Sequence, residues 1–324
     1  MLKRLALGCT MLAAALTASA QDTYPSRTIT IIVPFAAGGP TDTVARLIGQ
    51  SMGKALGQVM IVENTGGAGG TIGVEKVAKS SKPDGYTLLL MHIGISTAPS
   101  LYRNLRYDPV KELSPIGLVT NVPMTVIGNK DFPPKDMKDL VTYVKANKDK
   151  VTYANAGVGA ASHLCGMLFM TAIQTDLTTV PYKGTGPAMT DLIGGQVDFM
   201  CDQTTNTTPQ IKGGKVKAYA VTTPTRVKSL PDLPTAEESG LKGFEVAVWH
   251  GLWAPAGTPK ADIAKLSAAL KTALKDPEII KKFADLGTEP VPESRATPEA
   301  LRTHLKSEIE KWGPIIKKAG VYAD

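Results

Sequence analysis

The chain has 324 residues, of which 43% are hydrophobic and 20% charged, with a formal net charge of +7. At roughly 150 residues per domain this supports two domains, or one large one, with an ample core. A disulfide-stapled miniprotein and a disordered tail are thereby excluded, and the 31 glycines and 23 prolines lack the strict triplet of a collagen-like chain.

Lys3 and Arg4 precede an uncharged run from Leu5 to Ala20 that closes on Ala18-Ser19-Ala20. This is the pattern of a secretory signal peptide, so removal of residues 1–20 before Gln21 is expected. The run is 16 residues long, short of the roughly 20 needed to span a membrane. A lipid anchor on Cys9 is the competing reading, although the apolar stretch before it is very short. Loss of Lys3 and Arg4 leaves 34 basic residues against 29 acidic, a net charge of +5. The basic residues are dispersed among acidic neighbours, as in KDMKDL and KANKDK, so no nucleic-acid stripe is evident. Such a mild excess is compatible with attracting small anions.

In chain order, TITIIV (28–33) reads as a strand, AAGGPTD as a turn, and Val44, Leu47, Ile48, Met52 and Ala55 as one face of a helix. The unit recurs: VMIVEN, then TGGAGG and a helix to Ala78, then the strand YTLLLM opening onto HIGIST. The middle of the chain offers MTVIGN, a helix near Asp139 to Asn147, VTYANA, GVGAASH, a helix from Leu164 to Ile173, TTVPYKGTG, a helix to Ile193, and QVDFMCD. Successive β-loop-α units imply an α/β fold with mostly parallel strands. The rhythm breaks in a proline-rich connector at 224–245. Helices are then expected over Lys260 to Leu274, Glu278 to Leu286 and Glu299 to Lys318, with Pro259, Pro277 and Pro298 at their first turns.

Three glycine-rich turns, 34–42, 92–97 and 157–163, each follow a strand and open a helix. Free amides and a helix dipole at such places suit an anion, and in open α/β sheets ligands sit where such turns converge. Gly157-x-Gly159-x-x-Ser162 mimics a dinucleotide fingerprint. Its third glycine is replaced by Ser162, however, and no acidic residue stands at the end of a second strand. No Gly-x-Ser-x-Gly, Gly-Lys-Ser/Thr or His-Glu-x-x-His motif is present, so catalysis has little to stand on. The four histidines are His92 and His163 in the glycine-rich turns, His250 beside Trp249, and His304, expected on an exposed helix face. With no Cys-x-x-Cys pair, no zinc site is expected. In an oxidising compartment Cys165 and Cys201 can form one disulfide or sit as two buried thiols.

The segments YPSRTITIIVPFAAGGPTDTVARL, VENTGGAGGTIG, KPDGYTLL, YDPVKEL, GVGAASHL, VPYKGTGPAMTDLIGGQVDFMCD and GLWAPAGTP, taken in order, resemble the periplasmic receptors of tripartite tricarboxylate transporters, the Bordetella uptake gene family. The resemblance covers essentially the whole mature chain. It implies a type II periplasmic binding protein with two lobes, a ligand cleft between them, and no enzymatic activity, metal or cofactor. The expected partners are a small organic carboxylate and the membrane subunits of such a transporter, with no nucleic acid, and a monomer is expected. The alternatives are a ligand-sensing module and a secreted α/β enzyme.

Carried onto this chain, the resemblance points to Phe35, Ala36, Gly38, Pro40, Thr41 and Asp42 in the first turn. The counterparts across the cleft are Gly159, Ala160, Ala161, Ser162 and His163, with Ser96, Lys183, Gly184 and Asp202 as further candidates. Asp42 is an anion beside a proposed anion site, so capping or complementing the helix dipole suits it better than ligand contact. For Lys183 the choice between ligand and solvent stays open, as does that between ligand contact and packing for His163. Lobe one is expected from 21–122 with 249–324 and lobe two from 123–248, because a discontinuous first lobe lets both crossings form a hinge. With export and both cysteines beside cleft loops, a Cys165 to Cys201 bridge is the expected pairing.

Overall fold

The computed structural model describes residues 24–320 and 322–323, so the leader, its cleavage site and Cys9 lie outside the described residues. Among the described residues no helix is long and apolar enough to cross a membrane. The first half of the chain supplies β1 (Ile29–Val33), α1 (Pro40–Leu56), β2 (Met60–Asn64), α2 (Thr71–Glu75), β3 (Thr87–His92) and α3 (Gly94–Leu101). β1 is a β-branched run whose Ile31, Ile32 and Val33 are all buried, as a strand covered on both faces requires. It pairs in parallel with β2 and β3.

The turn expected over 92–97 is much shorter, because α3 already begins at Gly94. Ser96 and Thr97 point their hydroxyls back at the carbonyls of Ile93 and Gly94 and are fully buried inside this helix.

β4 (Leu113–Asn129) follows, then α4 (Met137–Ala146), β5 (Thr152–Asn155), α5 (Ala161–Ile173), β6 (Thr178–Pro181), α6 (Thr185–Ile193), β7 (Phe199–Gln203), α7 (Thr204–Lys212) and β8 (Val216–Val221). The chain closes with β9 (Ala247–Pro255), α8 (Lys260–Lys275), α9 (Pro277–Asp285) and α10 (Pro298–Ala319). The strands order as β2-β1-β3-β9-β4-β7-β5-β6, with β8 also on β4. β5 pairs in parallel with β6 and β7, whereas every pairing of β4, and that of β3 with β9, is antiparallel. Each half therefore contains parallel β-loop-α units, and every antiparallel pairing involves β4 or β9.

β4 joins the two halves. From Leu113 to Pro123 it pairs with β9, and from Met124 onward with β7 and β8. Its 17 residues thus belong to two half-sheets, with register shifts near Pro115 and Leu118, where prolines and extra residues are tolerated in a ladder. The proline-rich connector between β8 and β9 is anchored by a bridge from Thr235 to Val221 and by Leu230 and Leu233 packed on Val221.

α8 packs on α1, and α10 on α3 and β4. α10 is tied to β9 through Glu308, which accepts the indole N–H of both Trp249 and Trp312 at 3.0 and 3.1 Å. His304 is half-buried rather than a plain surface residue, because its ring meets that of Trp249 edge-on at 4.8 Å. Pro277 and Pro298 open their helices as expected, whereas Pro259 stands one position earlier, at the cap of α8.

Candidate functional site

Four of these helices begin at one place. A small cavity of about 20 Å³ lies between the two halves of the sheet. From the first half it is lined by Phe35, Gly39, Pro40 and Thr41, with His92 at the end of β3. From the second half come Ala156, Ala161, Ser162 and Thr185, with Asp202 and Gln203 at the end of β7.

Pro40, Ala161 and Thr185 are the first residues of α1, α5 and α6, and Gln203 is the residue before α7. None of these helices has a side-chain cap: the cap positions are Gly39, Ala160, Gly184 and Gln203, and none makes a capping hydrogen bond. Elsewhere α4, α9 and α10 are capped by Asp136, Asp276 and Thr297, while α2, α3 and α8 are uncapped, so it is the convergence of the four that sets this place apart. An uncapped N-terminus leaves amide N–H groups unpaired and carries about half a positive charge. Four of them around one cavity make a strong anion site without a cationic side chain.

The side chains refine this field. Ser162 Oγ accepts the Ala156 amide at 2.8 Å, which leaves its own proton free to donate, and its carbonyl is held by the Tyr153 hydroxyl at 2.6 Å. Thr41 Oγ1 lies 3.3 Å from His250 Nε2. On the opposite wall Asp202 is 1% exposed, and burial pushes its carboxyl up to about 6 while bonds from Asn206, the Gln203 amide and Thr185 steady the charge. The neighbouring Gln203 is also buried, and its Oε1 has no hydrogen-bond partner among the described residues. The second half therefore presents acceptors beside its own three helix starts and Ser162, and the first half adds the start of α1 and Thr41.

A cavity of this size holds about one water, because the two halves touch directly around it. The Ala36 amide donates to the Lys183 carbonyl at 2.9 Å, the Tyr102 hydroxyl to the Val158 carbonyl at 2.7 Å, and the Thr97 hydroxyl lies 3.3 Å from the Gly159 carbonyl. Admitting any organic anion requires the halves to part.

Of the residues singled out in the sequence, Phe35, Pro40, Thr41, Ala161, Ser162 and Asp202 line the cavity. Ala36, Gly159, Lys183 and Gly184 instead lie along the seam where the halves meet, and Lys183 leaves its side chain exposed. Ala160 is the cap residue of α5, and His163 takes the Gly159 amide on Nδ1 at 3.4 Å. Ser96 is committed to Ile93 within α3. The Asp42 carboxylate accepts from the Gly38 amide, Arg46 and Asn64, each at 3.0 Å, so both Gly38 and Asp42 serve to shape the first turn. Gly39, His92, Ala156, Thr185 and Gln203 are not among the expected ligand residues; Gly39 and His92 belong to the glycine-rich turns and Thr185 to the segment VPYKGTGPAMTDLIGGQVDFMCD, whereas Gln203 is marked only by adjacency to a helix start.

Arg46, held by Asp42 and Asn64, does not reach the cavity. Replacing it with alanine is expected to change carboxylate affinity less than about 3-fold. Thr41→Ala or Ser162→Ala should weaken binding by about 5- to 10-fold, the scale of one neutral hydrogen bond. Titration calorimetry on the three variants checks this, and loss of binding in Arg46→Ala alone would refute it.

Cys165, one turn into α5, and Cys201, next to Asp202 in β7, form a disulfide. It ties together the two segments that carry Ser162 and Asp202.

Residues 44–321 match the tripartite tricarboxylate transporter family receptor. The chain belongs to that family. This receptor is 58% identical over 303 residues to the UPF0065 protein in the TAR-I ttuE-ttuC' intergenic region of Agrobacterium vitis, covering 94% of this chain and 87% of the relative. Among solved structures, the periplasmic binding protein BugD is 57% identical and superimposes with a TM-score of 0.90, covering 92% of this chain and 99% of BugD. MatC from Rhodopseudomonas palustris, solved with bound malate, is 44% identical with a TM-score of 0.86, covering 90% of this chain and 100% of MatC. The receptor is thus a two-lobed periplasmic solute-binding protein, and the cavity with its four helix starts lies in the cleft between the lobes.

Proposed function

We propose that this receptor captures a small organic carboxylate carrying a hydroxyl or ammonium group and delivers it to the membrane subunits of a tripartite tricarboxylate transporter. It acts as an exported monomer, cleaved before Gln21, and performs no chemistry on its ligand. The observation that carries the reading is the convergence of four uncapped helix N-termini on one interlobe cavity. The donor group answers buried Asp202 and Gln203 Oε1, acceptors that a ligand hydroxyl or ammonium group can satisfy. Malate, the ligand of MatC, carries a hydroxyl beside its two carboxylates. The lobes divide as 21–122 with 249–324 and 123–248, a division supported by the change of partner along β4 between Pro123 and Met124.

The test is a thermal-shift and calorimetric panel of L-malate, succinate, citrate and nicotinate. Malate should raise the melting temperature and bind at least about 10-fold more tightly than succinate, which lacks the hydroxyl. NMR should show no ligand consumed. A panel without any shift, or turnover of a carboxylate, would overturn the reading.

Asp202 adds a pH signature. Because its carboxyl is raised to about 6 in the fold, against about 3.9 unfolded, the native state keeps the proton longer than the unfolded chain. Its contribution to stability is complete below pH 4 and declines as pH rises through 6, by roughly 3 kcal/mol in all. Asp202→Asn removes that decline. Denaturation of both proteins at pH 4 and pH 7 should therefore show the variant gaining on the wild type as pH rises, and parallel stabilities would contradict the assignment.

A further inference from the structure

We infer that His92 is a ligand-gripping residue: its Nε2–H donates to the ligand carboxylate from the first-lobe wall of the cleft. The inference rests on the receptor reading above and adds to it a side-chain donor beside the helix-start amides. His92 is the last residue of β3, is 3% exposed, and borders the interlobe cavity. Its Nδ1 accepts the Gly94 amide at 3.0 Å. An imidazole nitrogen that accepts an N–H bond carries no proton, so in the neutral ring the proton sits on Nε2. Among the described residues no protein group takes that proton.

The ring is also immobilised. It stacks on Phe35 at 4.7 Å, and His250 meets it edge-on at 5.9 Å. Burial pushes His92 down to about 3 and holds His250 well below the usual histidine range, so this wall is an uncharged, rigid donor surface. Facing it across the cavity are the acceptors Asp202 and Gln203. A carboxylate held between the lobes meets His92 and the start of α1 from the first lobe, and the starts of α5, α6 and α7 from the second. A fixed neutral donor suits a receptor that must release its cargo, because no ion pair has to be broken.

The experiment compares His92→Phe, which keeps the stack and volume without a donor, with His92→Gln, which returns an N–H near the Nε2 position. L-malate is the probe, with calorimetry as the readout. The His92→Phe variant should bind about 10- to 100-fold more weakly, the range for a lost hydrogen bond to a charged group, and His92→Gln should recover most of the loss. Long-range proton–nitrogen NMR of the unliganded protein should find His92 protonated at Nε2, with that signal shifting when malate is added. Wild-type affinity in His92→Phe, or a proton on Nδ1, overturns the inference while leaving the receptor reading intact. If the wild type binds neither malate nor any other carboxylate of the panel, the receptor reading falls and this inference falls with it.

Discussion

Gly69→Val is expected to weaken carboxylate binding by 100-fold or more while leaving the lobes folded. Gly69 lies in the tight turn Ala68–Gly70 of the first lobe, and a β-carbon built on it would stand 1.8 Å from the Val158 carbonyl oxygen of the second. Real contacts of that kind need at least 3 Å, so the seam cannot shut around any side chain there. Since ligand affinity is scaled by the fraction of molecules able to close, a 100-fold loss corresponds to about 2.7 kcal/mol against closure. The φ of +60° at Gly69 adds a cost of about 1–2 kcal/mol for a side chain, and this must be separated from the clash. Gly57→Ala is the control: φ is +67° there, and nothing lies within 4 Å of the new β-carbon. It should lose stability without losing affinity. Small-angle scattering should show contraction on adding malate in wild type and Gly57→Ala but none in Gly69→Val. Normal contraction in Gly69→Val would show that the seam is not what limits closure.

The same seam explains which parts of the site were legible in the sequence. Glycine-rich turns after strands were read as anion cradles, and the first and third do open helices at the cavity. Glycines outside those turns serve another purpose. A β-carbon at Gly66, Gly184 or Gly186 would meet backbone of the opposite lobe at 2.6–2.9 Å, so these glycines let two loops pass within contact of each other. A single chain read in order shows a turn and a helix start, but cannot show that turns from different lobes meet. Hence Ala36, Lys183 and Gly184, to which the resemblance points, stand on the seam, whereas Thr185 and Gln203 stand on the cavity wall.

The fold divides in a similar way. Units whose signal is local, such as the run 29–33 with its helix or the amphipathic helices after residue 259, are readable from periodicity. β4 is not, because Pro115, Gly117 and Pro123 interrupt the pattern over its first half, and only MTVIGN at its end looks like a strand. Pairing with β9, more than 120 residues later, holds the interrupted half in place. A register shift follows Pro115, whereas Pro123 pairs in register with Ala247, and nothing near in sequence announces that partner. β8 and β9 were missed for the related reason that they pair outside the β-loop-α rhythm.

Removal of the Cys165 to Cys201 bridge is expected to cost ~4 kcal/mol on the chain-entropy model, given a separation of 36 residues. In a protein of this size that lowers the melting temperature by roughly 10 °C. Both cysteines are buried, so Cys165→Ala with Cys201→Ala is a cleaner perturbation than a reductant that must first reach the bond. The effect should extend to binding. Cys165 sits one turn after Ser162, and Cys201 immediately precedes Asp202, so the bridge sets the distance between a donor and an acceptor of the cleft. Without it that spacing is held only by packing of α5 on β7, and L-malate affinity should fall by about 5- to 10-fold in the double variant. A loss of stability with unchanged affinity would mean that packing alone suffices to hold the wall. Two freely alkylated thiols in protein purified from the periplasm would show that the bridge does not form there, and the double alanine variant should then match the wild type in both stability and binding.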